Sequence, residues 1–521
     1  MASRRDELNA YTFAKKRTVA AFLQPSPSGS DEGAPRPLRT VLPGVVAGAL
    51  LVAGFGAWGV FKPVAPKGWD DVAAHVIVGS DSTTRYVVLE TEGRKQLHPV
   101  LNLASARLLI KPGKPGVIKV RESELDNGRI SRGPTLGIPY APDRMPSAAQ
   151  AGKQKQWAVC QQPGGNGKTT QKAVFLFSAG DPKAKRLSGS QRLRGDQALY
   201  VQGPDDARYL VDPRGTRYLI GGPGRSGDEA DHNLLLRALF HDGAQPQRVT
   251  KEWLATLGEG TPITFPEVDG VGDRAGVPTL GRADRVGTIL QAPTGTGTQH
   301  YVVLPGKVAR VSEFTAKLLL SSRALSSLGQ AGTPQRVSAA DFTPDAEEFY
   351  GGSHWPDRVP RQANDTAAGA DTVCSLFGGL DDDGTPDLGV WAGRDYPATI
   401  PDGATSAYVT PGSGLLYRQV TGRQTRSGAV FLVTDTGLRY AVQSNSDSAT
   451  TKSRIGEEPA AGEPGTGTPG VAPSAVSEAD QARVRLGYQN VTPVAVPANW
   501  SQFLPTGPRL DANSARQPQG S

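Results

Sequence analysis

Six histidines and two cysteines are few for 521 residues. The histidines form no His-x-x-x-His pair and the cysteines no Cys-x-x-Cys, so no zinc centre is expected. No Gly-x-Ser-x-Gly occurs, which leaves a serine-hydrolase elbow unsupported. The longest basic run is Lys15-Lys16-Arg17 and the net charge is only +7, so nucleic acid is not an expected partner. Asp381-Asp382-Asp383-Gly384 resembles part of a calcium loop. Placing Gly384 sixth puts Gly379 first and Val390 twelfth, where an EF-hand needs carboxylates, so a solvated turn is expected. Aromatics make up only 7%, against 63 glycines and 42 prolines, which favours small loop-rich modules over one large core.

Long hydrophobic runs are equally scarce, and the exception sets the layout. Val41–Phe61 carries no charge. As a helix it matches a hydrocarbon core of about 30 Å. Before it stand Arg4, Arg5, Lys15, Lys16, Arg17, Arg36 and Arg39 against Asp6, Glu7, Asp31 and Glu32. Cationic flanks stay in the cytoplasm, so residues 1–40 are expected inside and the large remainder outside. A cleaved signal peptide is the alternative; its apolar core would be shorter and nearer the start. Leu8, Tyr11, Ala14, Val19, Phe22 and Leu23 suggest an amphipathic helix over 1–24, with a linker at 25–40. Gly44 and Gly48 form a Gly-x-x-x-Gly that permits close helix packing in lipid.

The exterior part reads as a duplication. Tyr86-Val87-Val88-Leu89 recurs as Tyr301-Val302-Val303-Leu304, offset 215, and Leu199-Tyr200 as Leu416-Tyr417, offset 217. Pro142-Asp143-Arg144-Met145-Pro146 recurs as Pro356-Asp357-Arg358-Val359-Pro360, and Val159-Cys160 as Val373-Cys374, both at 214. Arg217-Tyr218 matches Arg439-Tyr440 at 222, and Val249 matches Val496 at 247, the last jump falling in a Pro/Gly-rich stretch, 456–479. Within each copy, an apolar run, a turn, a helix-like stretch and a closing Pro-Val segment recur. The expected modules are 70–133, 196–272, 280–350 and 413–521, with the 456–479 linker inside the last. Core segments 134–195 and 351–412 carry the cysteines. Helices are expected at Leu101–Ile110, Leu234–Phe240, Ala316–Leu325 and Asp480–Gly487. The fold class is α+β: a single-pass protein whose elongated exterior holds four small α/β modules around a central β-rich core with a pseudo-two-fold. Outside the cell, Cys160 and Cys374 most simply form one disulfide. It would sit near that axis and contribute on the order of 4–5 kcal/mol.

Pro163-Gly164-Gly165-Asn166-Gly167-Lys168-Thr169-Thr170 imitates a phosphate-binding loop, with Gly167, Lys168 and Thr169 as its candidate residues. The first glycine of Gly-x-x-x-x-Gly-Lys-[Ser/Thr] is replaced by Gln162, and Ala173–Phe177 reads as a strand where a helix is needed. A hairpin turn is the expectation, with no catalytic, cofactor or metal residue assigned.

The N-terminal run Arg4-Arg5-Asp6-Glu7-Leu8-Asn9-Ala10-Tyr11-Thr12-Phe13 with Lys16-Arg17, then linker, span, repeated modules, paired cysteines and the closing Gly487-Tyr488 and Pro493–Pro508 stretch, resembles EccB. That family is a core membrane component of type VII (ESX) secretion systems. The resemblance implies a single-pass protein in a hexameric inner-membrane assembly with EccC (the FtsK/SpoIIIE-type motor), EccD and EccE, in contact with a mycosin protease. It also implies repeats like a phage-lysin wall-binding subunit, hence contact with peptidoglycan, and an attributed ATPase activity with ATP as ligand. Three functions stay open: structural subunit of a secretion channel, monomeric wall-binding anchor, or extracytoplasmic ATPase.

Overall fold

The computed structural model describes residues 3–23, 37–61, 65–112, 116–164, 169–222, 229–295, 297–365, 369–400, 406–443, 455–456 and 478–519. It divides into two compact units, Met1–Lys67 and Gly68–Ser521. The linkers expected at 25–40 and 456–479 fall largely outside the described residues.

The first unit holds helices α1 (Arg4–Leu23) and α2 (Pro37–Phe61). A reciprocal cap opens α1: Arg5 N–H donates to Ser3 Oγ at 3.3 Å and Ser3 N–H to Asp6 Oδ2 at 3.2 Å. The amphipathic face expected of α1 is not there. At 3.6 residues per turn, Lys15 falls among Leu8, Val19 and Phe22, so charged and apolar side chains are interleaved. α2 begins four residues before the expected span, at Pro37, and carries Pro43 inside its first turns. Its 25 residues extend about 37 Å at about 1.5 Å each. Among the described residues it is the one helix long and apolar enough to cross a membrane, with Val41–Trp58 entirely unburied.

Among the described residues, five sheets build the second unit. The first runs Gly116–Val120, His75–Gly79, Arg85–Thr91, Arg94–Val100, Ser131–Arg132. The second runs Gln247–Arg248, Gln197–Gln202, Arg208–Val211, Thr216–Leu219, Gly258–Glu259, and the third Gln335–Arg336, Ile289–Thr294, Gly297–Leu304, Lys307–Val311, Pro344–Glu348. The fourth is Val494–Pro497, Leu415–Val420, Val430–Val433, Arg439–Val442. Each follows one path: a three-strand antiparallel meander, a helix, then a strand returning parallel beside the first. The helices are Leu103–Leu109, Glu229–Leu239, Glu313–Ser321 and Glu478–Arg485. Caps set the starts of the first and third; Asn102 accepts from Ser105 N–H and Ser312 from Thr315 N–H, each at 3.0 Å. The third helix therefore opens three residues before the expected Ala316.

The central sheet runs Pro386–Gly393, Thr372–Leu380, Gln156–Pro163, Thr170–Phe177, Ala407–Val409. Side-chain alternation splits its faces. Trp157, Val159, Val174 and Leu176 pack with Leu199, Val201 and Trp253 of the second sheet region and Tyr417, Val496 and Trp500 of the fourth. Cys160, Phe175, Phe177, Cys374 and Trp391 face the other way, under Leu187, Tyr396 and Ile400. The first and fourth sheets share a core through Leu108, Tyr440 and Leu486. The second takes Phe314 and Leu318 from the helix of the third. Arginines staple the first pair: Arg107 Nη1 donates to Leu486 O at 3.0 Å, and Arg485 Nη1 to Ile110 O at 2.6 Å.

Candidate functional site at the crossed central sheet

Cys160 and Cys374 lie on adjacent antiparallel strands as direct partners, flanked by the pairs Val159 with Ser375 and Gln161 with Val373. Their Cα atoms are 4.0 Å apart, both residues are fully buried, and the sulfurs are bonded. The bond joins positions 214 apart in sequence, so each side of the sheet is one hairpin from a distant stretch of chain.

Next to the disulfide, several polar groups pair with one another across the core. Thr250 N–H donates to Gln161 Oε1 at 3.0 Å and Gln161 Nε2 to Thr250 Oγ1 at 2.8 Å. Trp253 Nε1 donates to Val159 O at 2.9 Å and Thr256 Oγ1 to Ser375 Oγ at 2.7 Å. Across the same core, the Tyr417 and Ser501 hydroxyls meet at 2.6 Å. On the disulfide's face, Tyr408 donates to Asp181 Oδ2 at 3.1 Å. Burial, then that hydrogen bond, pushes the Tyr408 phenol up to about 12. Burial also takes Tyr396 up to about 12, so both phenols stay neutral at physiological pH. Such an arrangement fixes sheets against one another.

Of the phosphate-loop candidates, Gly167 and Lys168 lie outside the described residues. Thr169 immediately precedes the return strand: Gly164 N–H donates to Thr169 O at 2.8 Å, and Pro163 pairs with Thr170. The loop joins two antiparallel strands, so the chain after Thr169 offers no helix N-terminus to a phosphate. Gly44 and Gly48 share a face of α2, and a Cβ at either would meet nothing within 4 Å. Among the described residues no group of three or more His, Cys, Asp or Glu is placed to hold a metal ion.

Sequence reading missed the Trp253 and Trp500 anchors. The signal was present, since the offset of 247 that matches Val249 to Val496 also matches the two tryptophans. Two clefts lie elsewhere: about 560 Å³ lined by Arg192, Arg194, Arg214 and Arg358, and about 600 Å³ lined by Arg208, Glu229, His232 and Glu267.

A family model described as "Type VII secretion system ESX-1, transport TM domain B" matches residues 1–520. The chain belongs to the EccB family. The relatives similar to it include the ESX-1 secretion system ATPase EccB1 of Mycolicibacterium smegmatis (strain MKD8), 26% identical over 461 residues, covering 85% of this chain and 87% of that one. The ESX-2 secretion system ATPase EccB2 of Mycobacterium tuberculosis (strain CDC 1551 / Oshkosh) is 29% identical over 492 residues, covering 88% and 90%. Two solved structures share the fold over most of the chain. A chain of an intact ESX-5 inner membrane complex aligns with TM-score 0.57 at 21% identity, over 100% of this chain and 96% of that one. The EccB3 dimer from the ESX-3 core complex aligns with TM-score 0.56 at 23% identity, over 85% and 99%.

Proposed function

We propose that the chain is a structural membrane subunit of a type VII secretion channel, crossing the membrane once through α2 with its N-terminus in the cytoplasm. The observation that carries this reading is the family match over residues 1–520, which spans helix and sheets together. The seven cations against four anions ahead of the apolar run support the orientation. A buried disulfide in the second unit agrees with an oxidising compartment. The shared strand path of the four sheets, and cysteines at matched positions on neighbouring strands, support an internal duplication about a pseudo-two-fold axis.

In this reading the sheets oligomerise outside the membrane and α1 couples to the motor. Self-association is supported by the dimer described for the ESX-3 relative. The partners are an EccC-type FtsK/SpoIIIE ATPase, EccD, EccE and a mycosin protease, in a hexameric assembly. The relatives' names include "ATPase". The strand after Thr169 argues for a structural role of the 164–169 loop and against nucleotide hydrolysis there. The test is native size and subunit content after mild detergent extraction of the tagged chain. A large particle containing the FtsK-type ATPase is expected. A lone monomer or dimer, reproduced across detergents, would overturn the reading in favour of an independent wall-binding anchor.

A further inference from the structure

The Pro-Asp-Arg-x-Pro motif occurs twice, and its two arginines have different surroundings. Arg144 lies 3.7 Å from Asp435, an ion pair that ties the first motif to the fourth sheet. At the position matching Asp435 the second sheet has Pro213, and Arg358 of the second motif instead lines the 560 Å³ cleft. Three more arginines join it there: Arg192, Arg194 and Arg214. None has a matching cation in the other copy. Thr436 corresponds to Arg214, and Ser406–Ser413, the stretch corresponding to Arg192 and Arg194, carries no charge. The same sheet path forms with and without these arginines, so the fold does not require them. Among the described residues, none of the four is in an ion pair.

Carboxylates share the cleft. Asp196 is drawn to Arg361 at 3.6 Å, and Asp212 accepts from the backbone N–H of Thr216 at 2.8 Å and of Arg214 at 3.0 Å. Asp357 is exposed at the rim. Arginine forks suit a multidentate oxyanion. Carboxylates beside them repel a bare anion and accept hydrogen bonds from hydroxyls. A cleft of this volume takes a small organic ligand. We propose that the cleft binds a phosphate carried on a hydroxylated carbon chain, a sugar or polyol phosphate, with the arginines on the phosphate and the aspartates on the hydroxyls.

Isothermal titration of the full chain in detergent tests this with glycerol 3-phosphate, glycerophosphoglycerol and inorganic phosphate. At least one ester should bind about tenfold or more tighter than inorganic phosphate. Arg214→Ala with Arg358→Ala should weaken it by about tenfold or more, and Arg214→Lys with Arg358→Lys should also weaken it, because charge without the fork is insufficient. Arg144→Ala should leave binding unchanged. A tighter diester assigns the phosphate to a polymer or lipid headgroup, and a tighter monoester to a free metabolite; both support the site. No ester binding, equal affinity for inorganic phosphate, or full affinity in the Ala double variant with unchanged circular dichroism would each overturn the proposal.

Discussion

Replacing both cysteines by alanine opens a loop of 214 residues and leaves the strand register intact, because Trp157 still pairs with Phe377 and Gln161 with Val373. The loop-entropy relation assigns closure of that length about 5 kcal/mol at 25 °C. That is a large part of the ordinary 5–15 kcal/mol stability of a domain. The two lost sulfur atoms add about 1 kcal/mol of packing in a fully buried site. Denaturant unfolding of the full chain in detergent, followed by tryptophan fluorescence, reads the change. Trp157, Trp253, Trp391 and Trp500 are all fully buried in the described fold and report its opening. The midpoint should fall and the slope should rise, because the uncrosslinked chain exposes more surface when it unfolds. Treating the native wild type with reductant and removing it before unfolding should leave the midpoint in place, since neither cysteine is solvent-accessible in the fold. A loss under about 1 kcal/mol in the double variant would refute the reasoning, because the unfolded chain would then gain no freedom from the cut.

Trp253→Ala should cost about 3–5 kcal/mol in the same assay, since a fully buried indole and its bond to Val159 O are lost together. Arg485→Ala should cost about 2–3 kcal/mol by stranding the carbonyls of Leu108 and Ile110, read as a lower thermal midpoint; an unchanged midpoint would remove its stapling role. His98 is fully buried, with Nδ1 3.0 Å from Pro134 O, and burial holds its pKa below 6.5. The unfolded state therefore takes up the proton first: stability is complete above pH 6.5 and falls below it, by up to about 1.4 kcal/mol per pH unit. A His98→Gln variant should flatten that slope in stability measured from pH 7 downwards. Lys168→Ala should leave nucleotide binding to the purified chain at its wild-type level, because the residues after the loop form a strand.

Much of this architecture was legible where the chain repeats itself. The strand at Ala173–Phe177 and the helices at four matched places follow from local alternation and periodicity, and the structure has them. The pairing of Cys160 with Cys374 was legible because the chain has only these two cysteines to join, and they meet as direct partners on adjacent strands. The faces of α1 were misread because apolar positions alone were followed; Lys15 falls among them. The arginine cleft was invisible for a different reason. Its residues come from three stretches, Arg192–Arg194, Arg214 and Arg358, that only the packing of the second sheet against the central one brings together. No local period encodes such a meeting.

The central sheet also imposes a schedule on the growing chain. The edge of Gln156–Pro163 is completed by Thr372–Leu380, which follows some 214 residues later. At about 5–20 residues per second of synthesis, that edge waits roughly 10–40 s with its backbone groups unpaired. During the wait, the second and third sheets have time to fold between the two hairpins. An identical Thr372–Gly393 hairpin from a neighbouring copy would fit the waiting edge equally well, and a cysteine would arrive at the right register with it. Crowding of nascent copies thus favours exchange of halves, and covalent dimers linked through Cys160 and Cys374 are the misassembly this topology invites.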